Sequence, residues 1–427
     1  MGDVVVVDGL RTPFVKSGTK FAPVPAWELG RVATRELLAR TAFSPHEIDE
    51  VIFGCVAQPS DTANIARVIA LRSGIPEHVP AVTVGRNCAS GMEAITAGRE
   101  RILSGRASAV LVGGVEAMSA IPLHYPSSFA SKLMSLMRAR NIGEKVIAGA
   151  SFRPRDFRPV IALEQGLTDP VCGEIMGLTA ERLARDWGID RGEQDAYALE
   201  SHRRAVAARE RLNGELTPVA VPRRYRDLVT EDLGPRDNQS LEALGRLRPF
   251  FDRKFGSVTV GNSCPVTDGA VALLLMTEER AHALGYTPLG VLRGHAYQGC
   301  EPGRMGLGPV YATPAALDDA GVSFGDLERI ELNEAFAAQV LACCHAYGSK
   351  TFAQKLGLSA PIGEVDPDRL NVNGGAIALG HPVGATGARL VLTLLHELRR
   401  LGGGLGLATL CIGGGQGGAV VVEGRAA

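Results

Sequence analysis

The amino-acid sequence of 427 residues predicts an α/β protein built from two similar halves, with a segment inserted between them. Three observations lead to this prediction. Short runs of β-branched residues alternate with stretches of helical periodicity, as in strands that are covered by helices. The order of these elements in the first part of the chain recurs in the last part. Glycine contributes 52 of the 427 residues, about 12% against a typical ~7%, but follows no Gly-X-Y period, which indicates many tight turns.

The N-terminal half begins with a β-branched strand and then alternates helices with strands. Leu29, Ala33 and Leu37 recur at helical spacing in the first helix. A turn of small residues at 87–91 leads into the third helix, and the last strand ends at Gly113–Gly114. The predicted strands are Val4–Val7, Ile48–Phe53, Ala81–Val84 and Ala109–Val112, and the predicted helices are Ala26–Arg40, Ile65–Leu71 and Met92–Ser104.

The C-terminal half repeats this order. A strand at 327–332 stands where 48–53 stands in the first half, and the turn at His381 matches the turn at Cys88. Pro314 is expected in the first turn of a helix, where its missing N–H has no cost. The predicted strands are Leu289–Arg293, Leu327–Leu332, Leu370–Val372, Leu405–Leu410 and Gly418–Val422, and the predicted helices are Thr313–Ala320, Ala335–His345 and Ala385–Leu401. Two such units predict a pair of packed domains rather than a solenoid.

Between the halves the character of the sequence changes. Residues 127–163 carry seven basic side chains and two acidic ones, with methionine and leucine interleaved, and polar-faced helices follow at Met176–Arg185 and Glu193–Ala208. We therefore predict an N-terminal domain of residues 1–118 and 256–278, an inserted loop domain of residues 119–255, and a C-terminal domain of residues 279–427.

The composition argues against several classes of protein. With 45 Lys and Arg against 46 Asp and Glu, no overall positive field favours nucleic acid. Eight cysteines without a CxxC pair and nine histidines without metal-ligand spacing predict a chain from a reducing compartment that holds no metal. The sequence has neither a basic and apolar leader nor a run of 18 apolar residues, so a cytoplasmic location is expected.

Cys88 is the first candidate for chemistry. It lies in a turn of small residues just before a predicted helix, where unpaired N–H groups and the helix dipole lower the pKa of a thiol. Small neighbours also let a substrate carbonyl approach. The alternative is a buried structural cysteine.

His381 occupies the matching turn of the second half. An imidazole there can accept a proton from a thiol or donate to a developing oxyanion, although a capping or core histidine is the alternative. If the pseudo-symmetry brings the two helix N-termini together, Cys88 and His381 form an activated-nucleophile pair.

A cysteine followed by glycines ends a strand at Cys411. It can carry a proton while neighbouring N–H groups bind an oxyanion. A P-loop is excluded because no Lys-Ser/Thr follows and the next element is a strand; a structural glycine turn stays open. Asn333 opens a predicted helix, where it can cap that helix or hold a water molecule.

Taken together, these segments resemble the thiolase family, which makes and cleaves 3-oxoacyl-CoA thioesters. The resemblance covers essentially the whole chain, and its insertion is most similar to the thiolases of fatty-acid β-oxidation. It implies a duplicated αβαβα layered fold with two pseudo-symmetric halves. The motifs are VDGLRTP at Val7–Pro13, the turn Asn87–Gly91, GGVEAM at Gly113–Met118, GSVTVGNSCPVTDG at Gly256–Gly269, NEAF at Asn333–Phe336, GHPVGATG at Gly380–Gly387, and Cys411–Gly418.

The resemblance also implies roles in a two-step acyl transfer. Cys88 would attack the 3-oxo carbon, acetyl-CoA would leave as its enolate, and a fresh CoA thiol would relieve acyl-Cys88. His381 would activate Cys88 and, with a water held by Asn333, stabilise the enolate oxygen. Cys411 would move the proton of the acetyl-CoA carbon, and the N–H groups of Cys88 and Gly413 would form a second oxyanion hole.

The binding of CoA and of the acyl chain is assigned by the same resemblance. Cys264 aligns with a family serine that approaches the pantetheine arm, and Met176 matches a family position in the loop domain. Met305 resembles a methionine that lines the acyl pocket of short-chain members, whereas the insertion is typical of long-chain members. Arg223 and Arg224 can bind the CoA phosphates or form a solvated face. CoA is a substrate here, and no bound cofactor is expected.

Two other functions are alternatives to a thiolase. A β-ketoacyl synthase-like condensing enzyme would pair its cysteine with two histidines, and a non-catalytic acyl-CoA-binding or lipid-binding relative would lack a catalytic residue. The resemblance implies a homodimer or a dimer of dimers, and a possible hydratase/3-hydroxyacyl-CoA dehydrogenase partner. Residues 127–163 are expected to pack over the acyl channel; docking of a partner and contact with a membrane surface are the alternatives.

Overall fold

The structure is a computed structural model that describes residues 2–222 and 225–426. The strands are β1 (Val4–Arg11), β2 (Val15–Lys16), β3 (Glu50–Gly54), β4 (Ala81–Val84), β5 (Ala109–Ala117), β6 (Leu123–His124), β7 (Val160–Ile161), β8 (Val219–Ala220), β9 (Leu228–Val229), β10 (Thr267–Thr277), β11 (Gly290–Gly299), β12 (Leu327–Leu332), β13 (Gly404–Ile412) and β14 (Gln416–Gly424). The helices are α1 (Ala26–Thr41), α2 (Ile65–Arg72), α3 (Ser90–Leu103), α4 (Ser127–Arg138), α5 (Ile142–Ala150), α6 (Ala162–Gly166), α7 (Met176–Trp187), α8 (Arg191–Ala207), α9 (Arg209–Leu212), α10 (Leu241–Gly245), α11 (Glu278–Ala283), α12 (Gly308–Ala320), α13 (Ala337–Tyr347), α14 (Lys350–Lys355), α15 (Ala376–Leu379) and α16 (Val383–Arg400).

Ten strands form one sheet in which the same pairing pattern occurs twice. In the first half β1 is antiparallel to β10, β10 is antiparallel to β5, and β5, β3 and β4 are parallel. In the second half β11, β14 and β13 are antiparallel in turn, and β13 is parallel to β12. The halves join where β1 pairs with β11 at Val5 and Val6. The predicted duplication is therefore confirmed.

Helices and strands form five layers, which are held together by three apolar clusters. Along β1 the side chains alternate: Val5 and Val7 pack with α1 and α2, while Val4 and Val6 pack with α3 and α16. The α3–α16 layer also covers the second-half strands, whose other face packs against α12 and α13. Each fully buried valine or leucine contributes about 1.5–3 kcal/mol of hydrophobic free energy. This burial on both faces of the sheet confirms the predicted αβαβα layering.

The pair Gly113–Gly114 does not end a strand as the sequence suggested. β5 continues through Gly113–Gly114 to Ala117. A Cβ on Gly113 would lie 2.1 Å from the carbonyl oxygen of Val271, and one on Gly114 would lie 2.1 Å from the carbonyl oxygen of Gly384. These glycines are needed because another backbone approaches the strand face, which is a second use of glycine in a sheet.

Three further elements differ from the prediction. The helix expected to begin at Thr313 begins at Gly308, so that Pro309 lies in its first turn and Pro314 lies inside it. The predicted strand at 370–372 is reduced to one parallel bridge between Leu370 and Ile330. β10 was not predicted, although it is the longest strand and lies between β1 and β5.

The inserted segment has two parts that differ in burial. Helices α7 and α8 bury apolar side chains against the second half. Helices α4 and α5 bury none, and α4 is held by the buried carboxylate of Asp156, which pairs with Lys132 and accepts from Ser128. The expectation that residues 127–163 pack over an acyl channel finds no support in the single chain. The domain boundaries at residues 118, 255 and 278 stay a prediction.

Within residues 2–222 and 225–426, no helix has the length and apolar character needed to cross a membrane.

The close approach at Gly114 predicts a large effect of a single methyl group. In Gly114→Ala the new Cβ meets the carbonyl oxygen of Gly384, so the free energy of unfolding should fall by about 1–3 kcal/mol in urea denaturation. Gly149→Ala is the matched control, because nothing lies within 4 Å of a Cβ there and α5 should gain about 0.5–1 kcal/mol. Equal stability of the two variants would show that the crossing at Gly114 has slack.

Candidate active site

The N-terminal turns of α3 and α16 touch through their backbones. A Cβ on Gly91 would lie 2.8 Å from the carbonyl oxygen of Gly384, and one on Gly387 would lie 2.6 Å from the backbone nitrogen of Met92. Cys88 precedes α3 by two residues and His381 precedes α16 by two residues. The two predicted turns are therefore brought together at this crossing.

The turn that carries Cys88 is tied to the glycine loop after β13. Asn87 adopts a left-handed conformation with φ of 43°, and its Nδ2 donates to the carbonyl oxygen of Gly413 over 2.7 Å. The backbone N–H groups of Gly413 and of Cys88 itself both lower the pKa of the Cys88 thiol. One of these two groups comes from each half of the molecule.

The pKa of the Cys88 thiol differs from the sequence-based expectation. Desolvation by the surrounding atoms raises this pKa above its ordinary value, the two backbone N–H groups oppose the rise, and the charge of Glu116 adds to it. The expected lowering of the pKa by the helix terminus is therefore wrong for the free protein, because desolvation outweighs the N–H groups. Forming the thiolate requires a base.

The hydrogen bonds of His381 decide which of its ring nitrogens can accept a proton. Its Nδ1 lies 2.6 Å from the hydroxyl oxygen of Thr386, and that hydroxyl donates to the carbonyl oxygen of Pro382. Since the hydroxyl proton is already used, Nδ1 must carry the imidazole proton and Nε2 must hold the lone pair. Burial, and secondarily Arg389, lowers the pKa of His381 to about 4, so the ring is neutral at pH 7.

His381 and Asn333 both carry buried polar atoms without partners in the described part of the chain. His381 Nε2 is buried without a hydrogen-bond partner in the described residues, and so are both side-chain atoms of Asn333. Buried polar atoms without partners are rare and each costs about 1–3 kcal/mol. Asn333 does not cap α13, which begins at Ala337 after Phe336, so the capping alternative is wrong. The amide is free to bind an oxygen atom.

Cys411 is the second thiol of the site. It is the penultimate residue of β13 and is almost fully buried. Gly414 and Gly415, both with positive φ, form the turn that follows the strand. Burial raises the pKa of Cys411 far above its ordinary value, and thiolates at Cys88 or Cys264 would raise it further. Cys411 is therefore a protonated thiol at neutral pH, suited to donate a proton.

The predicted binding residues fall into two groups. Met176, Cys264 and Met305 lie in one apolar cluster with Cys411 and Phe336. Burial, and then the neighbouring Cys88, raises the pKa of Cys264 to about 12. The Met176 sulphur lies 3.4 Å from the position of a Cβ on Gly413, at the edge of the glycine loop. Arg223 and Arg224 lie outside the described residues.

Comparison with known proteins identifies the family. A sequence model described as "Thiolase, N-terminal domain" matches residues 4–279, and one described as "Thiolase, C-terminal domain" matches residues 286–424. The chain belongs to the thiolase family. The predicted family resemblance is thus confirmed.

Relatives and solved structures match over almost the full length of this thiolase. It is 45% identical to a 3-ketoacyl-CoA thiolase of Serratia proteamaculans, over 98% of this chain and 96% of the relative. A crystal structure of the Bacillus anthracis acetyl-CoA acetyltransferase superposes with a TM-score of 0.86 at 36% identity, covering 99% of both chains. A structure of human mitochondrial 3-ketoacyl-CoA thiolase in complex with CoA has a TM-score of 0.84 at 36% identity, covering 99% of this chain and 98% of that one.

Two residues of the thiolase site were missed in the sequence although they lie in quoted motifs. Thr386, in the GHPVGATG motif, orients His381. Glu116, in GGVEAM, is a buried carboxylate that accepts from the first turn of α16. A glutamate within a buried, otherwise apolar and glycine-containing strand was the available signal, because such a group requires dedicated donors.

The lowered pKa of His381 predicts a loss of stability in acid. Between its ordinary value of 6.5 and about 4, the unfolded chain binds a proton that the folded His381 does not, so the free energy of unfolding falls as the pH falls. The contribution of His381 amounts to about 3 kcal/mol. Urea denaturation at several pH values should show a shallower decline in His381→Gln than in the wild type. His202, whose pKa burial also lowers to about 4, contributes to both proteins alike. Parallel curves would contradict the assigned state of His381.

Proposed function

We propose that this thiolase is an acetyl-CoA C-acyltransferase that cleaves 3-oxoacyl-CoA with CoA into acetyl-CoA and a shortened acyl-CoA, through an acyl-Cys88 intermediate. Relatives named 3-ketoacyl-CoA thiolase match the chain over its full length, which supports the reaction. The observation that carries the mechanism is the contact between the first turns of α3 and α16, which follow Cys88 and His381. Nε2 of His381 has no hydrogen-bond partner in the described residues, and the protonated thiol of Cys411 is close enough to Cys88 for their charges to interact.

In the first half-reaction, Nε2 of His381 takes the proton of Cys88, and the thiolate attacks the 3-oxo carbon. The N–H groups of Cys88 and Gly413 stabilise the resulting oxyanion; such a donor contributes about 2.7–4 kcal/mol. The C2–C3 bond then breaks, and His381 with an Asn333-held water stabilises the enolate oxygen of acetyl-CoA. Cys411 gives its proton to the enolate carbon, and acetyl-CoA leaves.

The second half-reaction restores the protons. The thiolate of Cys411 takes the proton of an incoming CoA thiol, which attacks the acyl group on Cys88. The tetrahedral intermediate collapses, expels the thiolate of Cys88, and releases the shortened acyl-CoA. The imidazolium of His381 returns its proton to Cys88, so each residue ends in its starting state. Run in reverse, the same steps are a Claisen condensation.

Two sets of residues are proposed to bind CoA and the acyl chain. The apolar cluster of Met176, Cys264 and Met305 supports contact with the pantetheine and acyl groups, and Arg223 and Arg224 are proposed to bind the CoA phosphates. CoA acts as substrate, and no resident cofactor takes part.

A homodimer, or a dimer of such dimers, in the cytoplasm is the proposed form. It is supported by β4, which lies at an edge of the sheet in the described chain, where a second copy can extend the ladder. Exposed apolar side chains on α4 and α5, such as Met137 and Ile142, support docking of a hydratase/3-hydroxyacyl-CoA dehydrogenase subunit.

The acyl-enzyme is directly testable. After incubation with acetoacetyl-CoA and rapid acid quenching, mass spectrometry should find an acetyl group on the peptide that contains Cys88. Cys88→Ala should carry no acetyl group and have no measurable thiolysis, while Cys172→Ala, a thiol outside the site, should behave as the wild type. An unacetylated wild type together with an active Cys88→Ala enzyme would overturn the proposal.

The role of Cys411 separates proton transfer from acyl transfer. Cys411→Ala should still be acetylated at Cys88 by acetyl-CoA, although more slowly, because CoA can leave as a thiolate without the Cys411 proton and no carbon acid takes part in this exchange. The variant should lose the exchange of acetyl-CoA methyl protons with D₂O, and its thiolysis kcat should fall by about 10²–10⁴. NMR can follow this exchange. If the methyl protons exchange in Cys411→Ala at the wild-type rate, another group transfers the proton.

A further inference from the structure

Glu116 is a buried carboxylate that the mechanism above does not use. It lies near the end of β5 and is 1% exposed. Its Oε2 accepts the N–H groups of Gly384 at 2.9 Å and Val56 at 3.1 Å, and its Oε1 accepts the N–H of Ala57 at 3.1 Å. The thiol of Cys55 donates to Oε1 at 3.7 Å. Within the described residues its hydrogen-bond partners are all neutral, and no cation neutralises the charge through them.

These partners belong to the two segments that flank the helix crossing. Gly384 lies in the first turn of α16, three residues after His381. Residues 55–57 follow β3, and a Cβ on Gly54 would lie 2.3 Å from the carbonyl carbon of Ser90 in the first turn of α3. One carboxylate therefore joins the start of the His381 helix to the loop that lies against the start of the Cys88 helix.

We propose that Glu116 is a positioning residue for the reaction: its carboxylate fixes the first turn of α16 against the loop after β3, and so fixes His381 relative to Cys88. This inference rests on the proposed roles of Cys88 and His381. Three backbone N–H groups favour the ionised carboxylate, although burial raises the pKa of Glu116 above its ordinary value. At a helix N-terminus an ionised carboxylate also meets the positive end of the dipole.

The charge of Glu116 has a second consequence. It disfavours a thiolate at Cys88 and contributes to the raised pKa of that thiol. Desolvation is the main cause of that raised pKa, and the charge of Glu116 adds to it. Geometry and charge make separate predictions, because the reach of the carboxylate and its charge can be removed one at a time.

Two variants separate these effects. Glu116→Gln keeps the length of the side chain but removes the charge, and places an NH₂ group against backbone donors. Glu116→Asp keeps the charge but is one methylene shorter, so it cannot reach both loops. Each should lower the kcat of thiolysis by about tenfold to a hundredfold with little change in KM, because misplacement of about 1 Å has effects of this size.

Alkylation of Cys88 provides a readout that a merely structural role would not move. Iodoacetamide labelling of the Cys88 peptide, followed against pH by mass spectrometry, should shift to lower pH in Glu116→Gln and stay as in the wild type in Glu116→Asp. The other titratable groups near Cys88, which are Cys264, Cys411 and His381, are unchanged in both variants.

Glu181→Gln is the matched control. Glu181 is also a buried carboxylate held by backbone N–H groups, those of Ser257 and Val258, but it contacts neither catalytic loop. Its loss should lower the Tm to a similar degree while the alkylation profile stays unchanged. If Glu116→Gln lowers only the Tm and leaves both kcat and the alkylation profile as in Glu181→Gln, Glu116 is purely structural and the inference is overturned. Failure of the proposed function would instead show as absent acylation of Cys88 in the wild type.

Discussion

The backbone contact between α3 and α16 is the constraint on which the rest of the structure depends. At this crossing glycines replace side chains on both helices and on β5, so that three backbones lie within van der Waals distance. Packing at this separation is possible only when a Cβ is absent from each contact. This close packing produces a central layer of α3 and α16. The layer buries one face of the strands of each half and brings the N-termini of the two helices together. The site is a consequence of that packing, since Cys88 and His381 lie just before the crossing.

Burial adjusts each ionisable group of the site in the direction that its proposed task requires. Desolvation disfavours the charged form, so it raises the pKa of Cys411 and lowers that of His381. The neutral forms that result are a proton donor and a proton acceptor. At Cys88, the backbone N–H groups of Cys88 and Gly413 oppose desolvation. The polar atoms of Asn333 and His381 that lack partners cost stability, which the large apolar clusters around them provide.

The sequence revealed those parts of the fold that have a local signature. Turns of small residues before apolar helices identified the positions of Cys88 and His381, and the order of elements identified the duplication. β10 was missed because its central part, GAVALLLM, is continuously apolar and buried on both faces, so it shows neither helical nor alternating periodicity. The predicted direction of the shift in the pKa of Cys88 was wrong, because an argument from the local helix terminus omits desolvation by atoms that are remote in sequence. The partners of Glu116 come from residues 55–57 and 384, which no local pattern connects.

The duplication also explains why the proposed nucleophile and the proposed base lie in different halves. Each half supplies a helix whose N-terminus points to the crossing, so two positive dipole ends meet there. Such a place stabilises negative charge on a thiolate, on an oxyanion and on an enolate, all of which the reaction forms. A field of this sign also accommodates the buried carboxylate of Glu116 without a cation partner. The loops at the crossing differ in what they carry: Asn87 in a left-handed turn precedes the Cys88 thiol, and Gly380 with φ of 107° precedes the His381 imidazole. The pairing of Cys88 with His381 therefore follows from the repetition of one αβ unit with two different turns, whereas Cys411 and Asn333 are supplied by β13 and by the loop after β12.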